Sequence, residues 1–128
     1  LKDDAALLKI PAGYELAVTS DTLNEGTHFL EGEDPAFIAH KVLRVNLSDL
    51  AAMAAKPHAY QLCIAFPQQP TEKWLSEFTN ALLSDQRQFN IFCSGGDTTS
   101  TKGPLSITMT AFGFVPQGKA LRLSLIHI

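Results

Sequence analysis

Leu105-Ser106-Ile107-Thr108-Met109-Thr110-Ala111-Phe112-Gly113-Phe114-Val115 sets Leu105, Ile107, Met109 and Ala111 against Ser106, Thr108 and Thr110. Successive side chains of a strand point to opposite faces, so the alternation predicts a strand over residues 105–115 with an apolar face. Working back from it, Asn90 to Cys93 reads as a short apolar strand running into the turn Ser94-Gly95-Gly96-Asp97. Thr71 caps a helix through about Gln88, with Trp74, Phe78, Leu82, Leu75 and Leu83 expected on its buried side. His58 to Phe66 is a strand stopped by Pro67. Asp34-Pro35 starts another helix, Asp as N-cap and Pro at the first position, and Lys56-Pro57 stops it after about Ala55. Residues 4–8 and 14–20 read as two strands joined by the turn Pro11-Ala12-Gly13, which leaves Asp21 just past a strand end. The order ββαβαββ predicts an α+β fold: a mixed β-sheet with two helices packed on one face. The other face then needs cover from a second domain or a partner subunit.

Composition bounds the function. The 128 residues are 45% apolar and 18% charged, enough for one globular domain with a core. A formal charge of −3, with ten scattered basic residues, argues against a nucleic-acid or anionic-membrane surface. No apolar run approaches the roughly 20 residues of a membrane span, and no signal peptide opens the chain, so a cytoplasmic location is expected. Cys63 and Cys93 fall in apolar stretches and are expected to be buried, reduced thiols. His40 and His58 are expected at the surface.

Four aspartates stand at the ends of elements: Asp4, Asp21, Asp49 and Asp97. Singly, each reads as a turn or cap residue. Asp49 differs, because Ile38, Val42, Val45 and Asp49 follow one helical stripe, so its carboxylate is expected on the buried side and in need of a partner. Asn46, three residues earlier, is placed to share a ligand with it or to orient it. Were all four to converge, each pair about 4 Å apart would cost about 4 kcal/mol at an effective dielectric near 20, which bound cations or raised pKa values would have to relieve. Carboxylates with the hydroxyls of Thr19 and Ser20, and no Cys or His, favour Mg²⁺ or Mn²⁺ and hence a phosphorylated ligand. Gly95-Gly96-Asp97 offers backbone N–H groups to phosphate oxygens but is no P-loop. His28, in Glu25-Gly26-Thr27-His28-Phe29, is either a substrate contact or a plain loop histidine.

Five segments carry a resemblance: Asp3-Asp4-Ala5-Ala6-Leu7, Thr19-Ser20-Asp21-Thr22-Leu23, Gly26-Thr27-His28-Phe29, Val45-Asn46-Leu47-Ser48-Asp49-Leu50-Ala51-Ala52-Met53 and Gly95-Gly96-Asp97-Thr98-Thr99. In this order they resemble the N-terminal half of the thiamine-monophosphate kinases, in the superfamily of aminoimidazole ribonucleotide and selenophosphate synthetases. The resemblance implies ATP-dependent phosphorylation of thiamine phosphate to thiamine diphosphate, several Mg²⁺ ions, and a homodimer whose paired sheets complete a barrel. It implies Asp4, Thr19, Ser20, Asp21, Asp49 and Asp97 as metal ligands, Gly96 and Asp97 at the nucleotide, and His28 at thiamine phosphate. Residues 1–121 would be the ATP- and Mg²⁺-binding domain, 122–128 an atypical tail, with the C-terminal domain absent. The family usually has Gly where this chain has Lys2 and Ala54, and an Arg it uses near ATP aligns with Leu123. Two other expectations stand beside the kinase: another ATP-using member of the superfamily, or a dimerising Mg²⁺/nucleotide-binding module without catalysis.

Overall fold

The structure, a computed structural model, describes residues 5–120. Asp4, Lys2 and residues 122–128 lie outside the described residues. The order is β1 (Tyr14–Asn24), α1 (Pro35–Ala52), β2 (Lys56–Phe66), α2 (Glu72–Phe89), β3 (Phe92–Ser100) and β4 (Ser106–Pro116). The strands form one mixed sheet in the order β1-β4-β2-β3, antiparallel except for the β2/β3 pair. α2 is the crossover that a parallel β2/β3 pair requires.

β4 is central, and its alternation is legible in its burial: Ile107, Met109 and Ala111 are fully enclosed while Ser106, Thr108 and Thr110 are only half-buried. The buried side faces the helices. α1 packs on β1, β4 and β2, and α2 lies against α1 and reaches β2 through Tyr60, whose hydroxyl donates to Gln86 Oε1 at 2.5 Å. Phe66 of β2 and Phe78 flank Trp74 near the start of α2, one edge-on and one stacked.

Capping explains the helix starts. Asp34 Oδ1 accepts from the Ala36 N–H at 3.0 Å with Pro35 behind it, and Thr71 Oγ1 accepts from the Trp74 N–H at 3.0 Å. α1 ends at Ala52, three residues before the expected Ala55, because Ala54 turns left-handed at φ 59°. That conformation costs an L-residue with a Cβ and is the reason glycine suits this position.

Four further expectations are corrected. Among the described residues no strand precedes β1: residues 5–10 have no regular structure, and Leu7 is 98% exposed. Ala5-Ala6-Leu7-Leu8 lacks both alternation and β-branched residues, so nothing local favours a strand there. The order is therefore βαβαββ. Leu75 and Leu83 are exposed, since the buried stripe of α2 runs through Phe78, Ala81, Leu82 and Asp85. Asp85 is tolerated on that stripe because Arg44 donates to its carboxylate at 3.0 and 3.2 Å and His40 Nδ1 at 2.8 Å, which ties α2 to α1. His40 is thus a partly buried tether, and His58 packs against Phe92 and Phe114. Cys63 and Cys93 are free and exposed, on a strand face without helices and on an edge strand respectively.

β3 departs most from expectation. The segment Ser94-Gly95-Gly96-Asp97 is strand, not turn, and β3 runs on to Ser100. A β-bulge between Tyr60 and Gln61 re-registers β2 against it. A Cβ on Gly96 would stand 1.8 Å from the Leu62 carbonyl oxygen, and Gly96 has φ 152°, so glycine is needed for the close approach of two backbones.

Candidate functional site

Thr19 and Asp21 stand two residues apart on β1, opposite Ala111 and Met109 of β4, so both point to the helix side of the sheet. β1 is an edge strand, and α1 crosses beside it. Asp49, in the last turn of α1, meets them there: Thr19 Oγ1 donates to Asp49 Oδ2 at 3.3 Å. The Asp21 carboxyl is pushed above the ordinary carboxylate value, first by burial and then by the hydrogen bond to Asp49 and its charge. One Asp21 oxygen, Oδ2, is buried with no hydrogen-bond partner.

Asp49 itself is exposed, which corrects the expectation of a buried carboxylate. The core stripe of α1 is Ile38, Ala39, Val42, Leu43, Asn46, Leu47 and Leu50, and Asp49 flanks it. Its neighbour Asn46 is fully enclosed: Nδ2 donates to the Val42 carbonyl at 2.8 Å, while Oδ1 has no partner. Two acceptor oxygens without donors, one on each side of the α1/β1 contact, are unfavourable unless something electropositive reaches them.

The other expected ligands do not join this corner. The Ser20 hydroxyl lies on the opposite face, bonded to Thr110 at 3.0 Å, next to a second hydroxyl pair, Thr22 and Thr108, at 2.8 Å. Asp97 pairs in register with Cys63, which pairs with Thr108, so it too stands on the face without helices. It is exposed and lines a groove of ≈ 980 Å³ with Gln61, Cys63, Phe92, Gly95 and Gly96. β1 and β3 are opposite edges, separated by three strand spacings, about 14 Å. Among the described residues no three of His, Cys, Asp and Glu gather as a metal site.

His28 occupies a third position, in the turn after β1. Its Nδ1 accepts from the Asn24 N–H at 2.8 Å, and Lys41 of α1 donates to its carbonyl. Lys41 precedes Asp49 by eight residues, about 12 Å along the helix. Sequence reasoning missed Lys41 and the Asp85 cluster. The readable signal for the latter was an acid on an apolar stripe of α2, matched by His40 and Arg44 four apart on α1.

What the corner offers is hard oxygen: two carboxylates and a hydroxyl, with a buried acceptor left over. That donor set suits Mg²⁺ or Mn²⁺, and a cation here would offset the burial and the neighbouring Asp49 charge that raise the Asp21 carboxyl. Thr19, Asp21 and Asp49 therefore fit such an ion.

A mixed sheet carrying two helices on one face and an oxygen-rich corner at its edge is the N-terminal domain of a known family. The sequence profile of the AIR synthase related proteins, N-terminal domain, matches residues 2–115, and the chain belongs to that family. Within it the chain is similar to thiamine-monophosphate kinases: it is 48% identical over 122 residues to that of Escherichia coli (strain K12), covering 95% of this chain and 37% of the relative. It is 47% identical over 119 residues to that of Haemophilus influenzae, covering 93% and 35%. The crystal structure of thiamine-monophosphate kinase from Stenotrophomonas maltophilia K279a superposes with a TM-score of 0.86 at 45% identity, covering 94% of this chain and 37% of that one. The chain thus spans little more than a third of the length of these relatives. Among the described residues no helix is long and apolar enough to cross a membrane.

Proposed function

We propose that this chain is the nucleotide- and metal-handling part of a kinase that transfers a phosphoryl group from ATP to thiamine phosphate, giving thiamine diphosphate. The observation that carries the reading is the Thr19/Asp21/Asp49 corner with its unpartnered buried oxygen, in a chain whose relatives bear that activity's name. The same relatives favour it over other ATP-using branches of the family.

Thr19, Asp21 and Asp49 would hold Mg²⁺, with Asp97, Ser20 and Asp4 completing the ligand set. Bound Mg²⁺ neutralises phosphate charge and aligns an in-line transfer. The Thr19 hydroxyl holds one Asp49 oxygen toward the corner. The Gly95-Gly96 backbone beside Asp97 lies open to a nucleotide's phosphates, and His28 offers a ring N–H to the phosphate of thiamine phosphate. No general base is required, because a phosphate monoester has its second pKa near 6 and is already largely ionised at neutral pH.

The sheet face without helices shapes the rest of the proposal. It exposes Val18 and Phe92, carries the half-buried Phe112 and Phe114, and ends in the hydroxyl rows around Asp97. A second copy covering it would make a homodimer with a closed barrel of paired sheets. Since Asp97 lies on the face and edge away from Asp21, a site containing both takes Asp97 from that second copy. The same open face supports the second reading, a dimerising Mg²⁺/nucleotide-binding module that does not catalyse on its own.

The complete gene product, purified and supplied with ATP, Mg²⁺ and thiamine phosphate, is expected to form ADP and thiamine diphosphate in equal amounts. Nucleotide binding without turnover would leave the module reading, and neither binding nor turnover would remove both.

A further inference from the structure

We propose that Lys41 is a positioning residue that acts through His28, fixing the turn in which that imidazole presents its Nε2–H to an anionic ligand. The inference rests on the reading of His28 as a thiamine phosphate contact.

The turn after β1 is closely wired. The Asn24 carbonyl accepts from the N–H groups of Thr27 at 3.1 Å and His28 at 2.8 Å, the Gly26 N–H donates to the Phe29 carbonyl at 2.7 Å, and the Glu25 N–H to the Leu105 carbonyl at 2.9 Å. Phe29 is buried in the core and anchors the far end. The remaining Asn24 group, its N–H, donates to His28 Nδ1 at 2.8 Å. A backbone amide can only donate, so Nδ1 carries the lone pair and the ring proton sits on Nε2. His28 is exposed, so this N–H is available to a ligand.

The His28 carbonyl is held by Lys41 of α1. Lys41 is half-buried, and among the described residues no carboxylate pairs with its ammonium. Its neighbours His40 and Arg44 turn the other way, to Asp85 on α2. α1 therefore divides its nitrogen donors: two bind the helices together, and one is given to the turn. An ammonium donating to a peptide carbonyl is a charge-assisted bond, stronger than a neutral one, and it fixes the peptide plane beside the imidazole. Without it, the 28–29 peptide can rotate, the Asn24 bond to Nδ1 loosens, and the ring samples both tautomers.

The test uses the full-length protein with ¹⁵N-labelled histidine, as wild type, Lys41→Met, Lys41→Arg and His28→Ala. The His28 ring signals are assigned by their loss in His28→Ala. Wild type is expected to show an Nε2–H ring with an unprotonated, hydrogen-bonded Nδ1. In Lys41→Met that signature should give way to mixed tautomers and thiamine phosphate should bind about tenfold more weakly, a change of about 1.4 kcal/mol, with Lys41→Arg restoring both. An unchanged ring signature in Lys41→Met overturns the proposal whatever the affinity does. A lost signature with unchanged affinity also overturns it when His28→Ala still weakens binding. Unchanged affinity in His28→Ala itself overturns the reading of His28 as a ligand contact, which the ring signature by itself does not decide.

Discussion

The two edges of the sheet carry the same kind of sequence and opposite environments. In the sequence both Thr19-Ser20-Asp21 and Gly95-Gly96-Asp97 read as an aspartate at an element's end, but β1 runs on through Asp21 to Asn24 and β3 through Asp97 to Ser100, because each stays paired with its neighbouring strand to that point. On the β1 edge the acid turns inward under α1, meets Asp49 and Thr19, and keeps one oxygen with no partner. On the β3 edge the acid turns outward onto the face without helices, in a groove that Ala5-Ala6-Leu7-Leu8 also lines. The comparison teaches that similar sequence settings place one acid inward beside the chain's own helix and the other outward on the face without helices, and the proposed site joins the two across a second copy.

The β3 half should be the more fragile one to alter. Gly96→Ala drives a Cβ into the Leu62 carbonyl and is expected to cost about 3 kcal/mol or more in chemical unfolding, with the β2/β3 amides losing hydrogen-exchange protection first. A cost under about 1 kcal/mol would mean that the two backbones separate easily and that the glycine is there for another reason. The β1 half depends instead on where α1 lies. Asp85→Ala removes the tie between α1 and α2 and is expected to lower stability by about 2 kcal/mol, less than for a fully enclosed pair because Arg44 is half exposed and regains water. Unchanged stability would show that apolar packing alone holds α1 over β1.

Smaller effects sharpen the comparison within the β1 corner. Ala54→Gly relieves the left-handed residue after α1 and is expected to add about 1 kcal/mol, read as a higher denaturant midpoint at constant slope. Asp21→Asn, with chelator present, is expected to stabilise by about 0.5 kcal/mol, a small figure because the site is partly solvated. The sign follows from linkage: the raised Asp21 carboxyl binds its proton more tightly folded than unfolded. Wild type should therefore lose stability relative to Asp21→Asn as pH rises from the ordinary value of 3.8 through the raised one, and hold a constant deficit above it. A gap that stays flat over that window would contradict a carboxyl raised by burial and by Asp49.

The sequence made the elements legible wherever a local rule decided them. Asp34-Pro35 and Thr71 announced both helices by their caps, and the Leu105–Val115 alternation announced the central strand and its uncovered side. What it hid were consequences of tertiary contact. Two glycines before an aspartate look like a turn until β2 approaches closely enough to require them inside a strand. Leu75 and Leu83 look buried until Asp85 finds Arg44 and His40 across the helix pair. The pairing of Asp49 with Asp21 was expected from the right residues for an incomplete reason: Asp49 flanks the buried stripe, and the enclosed polar group is Asn46. The separation of Asp97 from them was invisible, because a strand's faces depend on register and the bulge at Tyr60/Gln61 sets it.

The most direct test of the divided site is subunit mixing. Full-length Asp21→Asn and Asp97→Asn proteins are each expected to lack Mg²⁺-dependent turnover of ATP with thiamine phosphate. Exchanged at random into dimers, half would be mixed and each mixed dimer would hold one intact site, so about a quarter of wild-type activity should return. Verified mixed dimers with no recovered activity would contradict a site that takes Asp21 from one copy and Asp97 from the other.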